Sequence, residues 1–387
     1  MKIFRWWIIV TFVIFVLSGV GPQPAGSAAL WQSKVDPALL SMAPGEPVEF
    51  IILLNQQASL HEAGLLTGKL EKTTFVAETL QETAARTQQP ILARLASAGI
   101  EHRPYWIANM IWVRGDRSII QSMAQRADVA HISANPQVRS DLPAPVSGAS
   151  APDAPGTALN IARVGAPQAW AAGFTGQGVV VAGQDTGYDW DHPALISQYR
   201  GWDGANADHN YNWHDAIHTS NGTCGADSQE PCDDQGHGTH TMGTIVGDDH
   251  QGNQIGMAPG ARWIGCRNMN HGVGTPTTYA ECFQWFMAPT DLEGNNPDPA
   301  LAPDVINNSW GCPPSEGCDA ANIQMLQGVV EAVRAAGILV VASAGNFGPA
   351  CSTVKDPPGI YDASFSVGAV DNSDVAAGFS SRGGVGP

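Results

Sequence analysis

Five apolar runs in the second half of the chain predict buried strands: Val179–Ala182, Ala261–Cys266, Val305–Asn307, Ile338–Ala342 and Phe365–Val370. Helical patterns fall between them at Gly238–Val246, Tyr279–Met287 and Ala320–Ala336, the last closed by Gly337 as a C-cap. Alternation at this spacing predicts an α/β fold: a parallel sheet with helices on both faces. The first half has a different rhythm. Val48–Leu54 is a strand, Leu70–Ala98 a long helix, Trp106–Val113 a second strand with partial alternation, Arg117–Arg126 a second helix, and Val129–Ile132 opens a third strand. That β-α-β-α-β order predicts a small α+β unit over residues 47–140.

The two units are flanked by segments of another kind. Residues 1–29 carry Lys2 and Arg5, then an apolar stretch from Trp6 to Val20, then small residues from Gly26 to Ala29, the layout of a secretory signal peptide. The apolar stretch falls short of the roughly 20 residues a membrane span needs. No later segment is long and apolar enough to cross a bilayer, so export without a lasting membrane span is expected. Residues 141–156 hold four prolines among small residues and read as an exposed linker, where proteolytic maturation is expected.

Composition changes the picture in two ways. Residues 141–387 carry seven Lys and Arg against twenty-six Asp and Glu, which argues against a nucleic-acid partner. All seven cysteines lie beyond residue 220, and an exported chain permits disulfides. Cys224/Cys232 and Cys312/Cys318 are close enough to staple loops, but connectivity is not readable from spacing. An odd count leaves one thiol unpaired or paired outside these residues. No Cys-x-x-Cys occurs, so a zinc site is not indicated.

The candidate chemistry sits where the predicted strands end, the edge at which open α/β sheets gather their sites. Asp185 follows the first strand, His237 opens a glycine-framed helix, and Asn346 follows Gly345 after the fourth strand. A histidine between glycines lets a substrate backbone approach its imidazole, which suits general-base work near neutral pH. A carboxylate beside it would fix its tautomer, and an amide donor would stabilise an oxyanion. Asp189, Asp191 and Asp233 are read as turn or loop-surface residues, and His240, one turn beyond His237, as structural.

Gln184-Asp185-Thr186-Gly187 with His192-Pro193, His237-Gly238-Thr239-His240 and Ala344-Gly345-Asn346 resemble, in order, the aspartate, histidine and oxyanion-asparagine blocks of the subtilisin-like serine peptidases. Trp202, Asn212-Trp213-His214-Asp215 and Asn307-Asn308-Ser309-Trp310-Gly311 resemble their bacillopeptidase F-like branch. The resemblance covers residues 155–387. It implies a subtilisin-like fold for residues 157–387, with Asp185 and His237 in a catalytic triad, Asn346 in the oxyanion hole, and Ser309, Trp310, Gly311, Ala344 and Gly345 forming the walls that bind substrate as an extended strand. It also implies that residues 47–140 are a propeptide of the inhibitor I9 kind, a folding template whose tail occupies the site. The expected protein is a monomeric, secreted endopeptidase made as a zymogen, with protein or peptide substrates and its own propeptide as partners. Two departures qualify this. Ala194 stands where many members have a calcium-binding aspartate, so no cofactor is assigned; Asp248 and Asp249 are the remaining candidates for a calcium ion at an unknown site. The Gly-Thr-Ser-x-Ala segment of the family's nucleophile does not occur in these residues, so the sequence is expected to be a truncated form of a longer protein, lacking a complete triad. Two other readings stay open: a non-catalytic binding module on the same fold, and a metal-dependent hydrolase using the Asp and His clusters at 185–192 and 233–240.

Overall fold

A computed structural model describes residues 31–43, 45–140, 156–219 and 222–384. The expected signal peptide and all of the linker but Gly156 lie outside these residues. The N-terminal unit is built from β1 (Val48–Leu54), α1 (Lys69–Ser97), β2 (Glu101–Tyr105), β3 (Met110–Gly115), α2 (Arg117–Ala124) and β4 (Val129–Ala134). Its antiparallel sheet has the order β2-β3-β1-β4. Strand periodicity sorts its side chains to two faces. Phe50, Ile52, Ile111 and Val113 share a core with Ile91 and Leu95 of α1 and with Ile120 and Met123 of α2. Ile51, Met110 and Trp112 point the other way, into the larger core of the second unit.

Of the strand expected at Trp106–Val113, Met110–Val113 lie in β3, whereas Trp106–Ala108 are instead the tip of a hairpin. Asn109 takes a left-handed φ of 43°, and Trp106–Ala108 form the turn between β2 and β3. The tip is apolar because it is buried: the N–H groups of Trp106 and Ile107 donate to Gln284 of the second unit, and the buried Gln88 carboxamide donates to the Tyr105 and Met110 carbonyls. Strand β2 is hidden in the sequence pattern because it carries Pro104, tolerated here since β2 is an edge strand.

The N-terminal unit ends in β5 (Val138–Arg139), and the second unit runs through β6 (Val180–Asp185), β7 (Trp213–Asp215), α3 (His237–Val246), β8 (Arg262–Arg267), β9 (Met269–Asn270), β10 (Val273–Gly274), α4 (Pro276–Met287), β11 (Val305–Asn308), α5 (Ala320–Ala335), β12 (Leu339–Ser343) and β13 (Ser364–Val367). Six strands form a parallel sheet in the order β13-β12-β11-β6-β8-β7. Its two faces are both covered, as a parallel sheet requires. Val181 and Trp263 share a core with Met242 and Val246 of α3. Ala182, Ile264, Ile306 and Val340 share another with Phe283 and Phe286 of α4 and Leu326, Val329 and Val330 of α5. Strand β7 was not anticipated; three residues are too few to show a period. Gly337, with φ of 82°, closes α5 as expected.

Lying on α4 and α5, the N-terminal sheet adds Ile51, Tyr105, Met110 and Trp112 to that second core. Each large apolar side chain so buried contributes about 1.5–3 kcal/mol. The two short disulfides, Cys224–Cys232 and Cys312–Cys318, are formed. A third, Cys266–Cys282, ties β8 to α4, and Cys351 is an exposed free thiol.

Candidate active site

First of the six sheet strands in the chain, β6 lies inside the sheet, with β8 and β7 added on one side and β11, β12 and β13 on the other. The strand order therefore reverses beside its C-terminal end, where α/β folds place their crevice. Asp185 is the last residue of β6 and is fully buried. Its Oδ1 accepts the Nδ1–H of His237 at 2.6 Å and the N–H of Thr186 at 2.8 Å; the Thr241 hydroxyl lies 3.4 Å from Oδ2. With Nδ1 committed to the carboxylate, Nε2 is the basic nitrogen. Burial by itself would lower the His237 pKa, but the hydrogen bond and charge of Asp185, helped by Asp233, raise it overall above the ordinary imidazole value.

This contact needs α3 to start very close to the Asp185 loop. A Cβ at Gly238 would lie 2.0 Å from the Gly187 carbonyl oxygen, and Gly187 itself has φ of 108° with the Cys232 carbonyl against it. Both positions therefore require glycine. Asp233 then holds the approach. Its Oδ1 accepts from the Thr186 hydroxyl (2.8 Å) and from the N–H groups of Gln235 and Gly236, and its Oδ2 from the Thr239 N–H and hydroxyl (2.9 and 2.6 Å). The expectation that Asp233 is loop surface is corrected: one carboxylate clamps the aspartate loop to the histidine helix. Asp189 and Asp191 are exposed, as expected; His240 is exposed too, and does not pack. Asp248 and Asp249 accept hydrogen bonds from their own loop backbone. No group of three or more His, Cys, Asp or Glu among the described residues is arranged to hold a metal.

Asn346 lies on the same sheet edge, exposed in the loop after β12, two strands from Asp185. Gly345 bends that loop with φ of 97°, and Ser381 secures it by donating its N–H to the Gly345 carbonyl and accepting from Phe347 N–H. The Ala344 N–H donates to the Val367 carbonyl. Ser309–Gly311 follow β11 directly. Ser309 accepts from Asn307, whereas the Trp310 indole is buried, stacked on Tyr279 at 3.9 Å between ring centroids and meeting Phe283 edge-on. Trp310 thus anchors this wall from within the core.

Two supporting networks were not anticipated. Beneath the site, Asn268 donates to Gln184 (2.8 Å), Gln184 to Asn308 (2.7 Å), and Asn308 to the Val341 carbonyl (3.0 Å), a buried amide ladder across the strand ends. Beside it the fully buried Arg267 donates to Asp215, Asp234 and Asn270. Asp234 in turn accepts the His271 N–H at 2.9 Å, tying the β9–β10 turn to the segment before His237. The available signal was chemical: polar residues ending apolar strands, and an arginine in an acidic unit, are buried only when paired.

Replacing Asp233 by asparagine removes a charge that several donors share. The expected result is a loss of about 2–3 kcal/mol of stability, read by denaturant unfolding. The His237 pKa should fall as well, read by its ring proton shifts. A variant with unchanged stability and unchanged titration would refute the clamp.

A buried carboxylate thus grips a helix-opening histidine at the C-terminal edge of a parallel sheet, and the chain belongs to the subtilase family, whose profile matches residues 176–385. Among its relatives, Bacillopeptidase F of Bacillus subtilis is 36% identical over 332 residues, 81% of this chain and 22% of that protein. Subtilisin E of Bacillus subtilis is 31% identical over 225 residues, 58% of this chain and 49% of its own length. The chain thus spans about a fifth and about half of these two relatives. The crystal structure of the epidermin leader peptide processing serine protease EpiP of Staphylococcus aureus shares the fold, with a TM-score of 0.58 at 14% identity, over 88% of this chain and 74% of that one.

Proposed function

We propose that the full-length protein is a secreted serine endopeptidase made as a zymogen. The observation that carries the reading is the 2.6 Å contact between the buried Asp185 and Nδ1 of His237. In this reading His237 takes the proton of a serine hydroxyl and returns it to the leaving amine, Asp185 holds the tautomer and stabilises the imidazolium, and Asn346 donates to the oxyanion. The nucleophile's Gly-Thr-Ser-x-Ala segment does not occur in these residues, so the serine of this reading is assigned to none of them. Peptide substrates bind as an extended strand between Ser309–Gly311 and Ala344–Gly345. Residues 1–29 are the signal peptide, 47–140 the propeptide and 141–156 the segment cleaved on maturation. The shared core between the N-terminal sheet and α4 and α5, and the pairing of β5 with β10, support the propeptide role. No cofactor is assigned, and a monomer is proposed.

A fluorophosphonate probe tests this directly. It should label the full-length protein, and the label should vanish on denaturation before mixing. A natively folded full-length protein that takes no label would overturn the reading.

A further inference from the structure

We propose that Glu316 is a substrate-binding residue, whose carboxylate accepts the main-chain N–H of an extended peptide at the place that Arg139 now holds. The inference rests on the peptidase reading and deepens it.

The segment leading to the linker is seated on the second unit residue by residue. The Ala134 carbonyl accepts from Asn322, and the Asn135 side chain accepts from the N–H and hydroxyl of Thr277. Strand β5 then runs antiparallel to β10, with Val138 opposite Gly274 and Arg139 opposite Val273, and the Ser140 N–H donates to the Gly272 carbonyl at 2.8 Å. The Val138 side chain is buried in the core that contains Tyr279 and Trp310.

Alternate N–H groups of an extended strand point to opposite sides. Ser140 points at the β10 side, so the N–H of Arg139 points away from it, where no strand lies. Glu316 Oε2 stands there instead, 2.6 Å from the Arg139 nitrogen. This carboxylate takes the part that a carbonyl of a third strand would play, and an ionised acceptor makes the stronger bond. Its placement is built in. Glu316 ends a short 3-10 turn after Pro313 and Pro314, inside the loop closed by Cys312–Cys318, directly after the Ser309–Gly311 wall.

Every group in this seat belongs to the second unit, so an incoming extended peptide meets the same acceptor. Backbone pairing with β10 is indifferent to sequence, but Glu316 demands an N–H. Peptides with proline at that place are therefore rejected.

The test uses the full-length protein, its Glu316→Ala and Glu316→Gln forms, and two peptides. One carries Gln-Val-Arg-Ser on the acyl side of the scissile bond; the other is its ester twin, with oxygen replacing the arginine N–H. On the amide peptide Glu316→Ala should raise KM about 10-fold while kcat changes less than about 2-fold, with Glu316→Gln between the two. On the ester twin the substitution should have no effect. Equal factors on both peptides, or no change on either, would overturn the inference alone. No hydrolysis of either peptide by the unsubstituted protein would overturn the peptidase reading.

Discussion

Replacing His237 by alanine in the full-length protein should lower kcat for peptide hydrolysis by about a million-fold, a magnitude known from subtilisin. The reason lies in how few groups do the work. In the proposed reaction Asp185 and His237 form one proton-handling unit, so losing the imidazole would leave the nucleophile with no base and the leaving amine with no acid. Asn346 and the substrate walls stay in place, so some 10³–10⁴-fold acceleration over water should survive, from oxyanion stabilisation and binding. KM should change little. The fold should also survive, because the ring is partly exposed and its removal opens no large cavity. The opposing term is the carboxylate left behind: Asp185 would be buried without its main partner, keeping only Thr186 and Thr241. Unfolding measurements beside the kinetics separate the two effects. A His237→Ala protein that keeps more than a hundredth of the starting kcat would sink the assignment.

The Asp185 and His237 positions were legible because each carries a local signal. Asp185 ends an apolar strand, and His237 sits in a glycine frame at a helix start. The groups that hold them had no such signal. Asp233 is one carboxylate in a polar loop, and its role appears only when Thr186, Gln235, Gly236 and Thr239 converge on it. Arg267 ends a strand and would suit a solvated tip, but the fold brings to it Asp215, from the end of β7, and Asp234, from the loop before α3. The segment Asn212–Asp215 shows the same limit. It resembles a family block, yet the reasons for its residues are tertiary. Trp213 fills the core under α3, Asp215 pairs with Arg267, and His214 reaches the buried Glu281 of α4. Burial by itself would raise the Glu281 carboxyl, but hydrogen bonds from His214 and His218 hold it well below the usual range. Tyr105 of the N-terminal unit donates to the same carboxylate at 2.7 Å. Periodicity finds elements because they repeat; a buried polar cluster gathered from three separate segments does not repeat, so only the folded chain reveals it.

The second large effect concerns Asp185 itself. In Asp185→Asn an amide replaces the carboxylate with almost unchanged shape, and its NH₂ can face Nδ1 of His237. That orientation stabilises the wrong tautomer, with the proton on Nε2, so the ring no longer serves as a base. A loss of about 10⁴ in kcat is expected, the scale of the same change in another serine peptidase fold. The pH dependence adds a sign that a merely structural defect would not give. Burial lowers the His237 pKa, and the hydrogen bond and charge of Asp185 more than restore it. Without that charge the pKa falls, so the acid limb of kcat/KM should move to lower pH even as the plateau drops. Stability follows the same linkage. A histidine whose pKa is raised on folding stabilises the fold fully below its unfolded pKa, about 6.5, and that contribution is lost as pH rises through the raised value. Asp185→Asn should therefore cost more stability at about pH 5 than at about pH 9, read by denaturant unfolding at both. An acid limb that stays in place, or an equal cost at both pH values, would mean that Asp185 does not set the ionisation of His237.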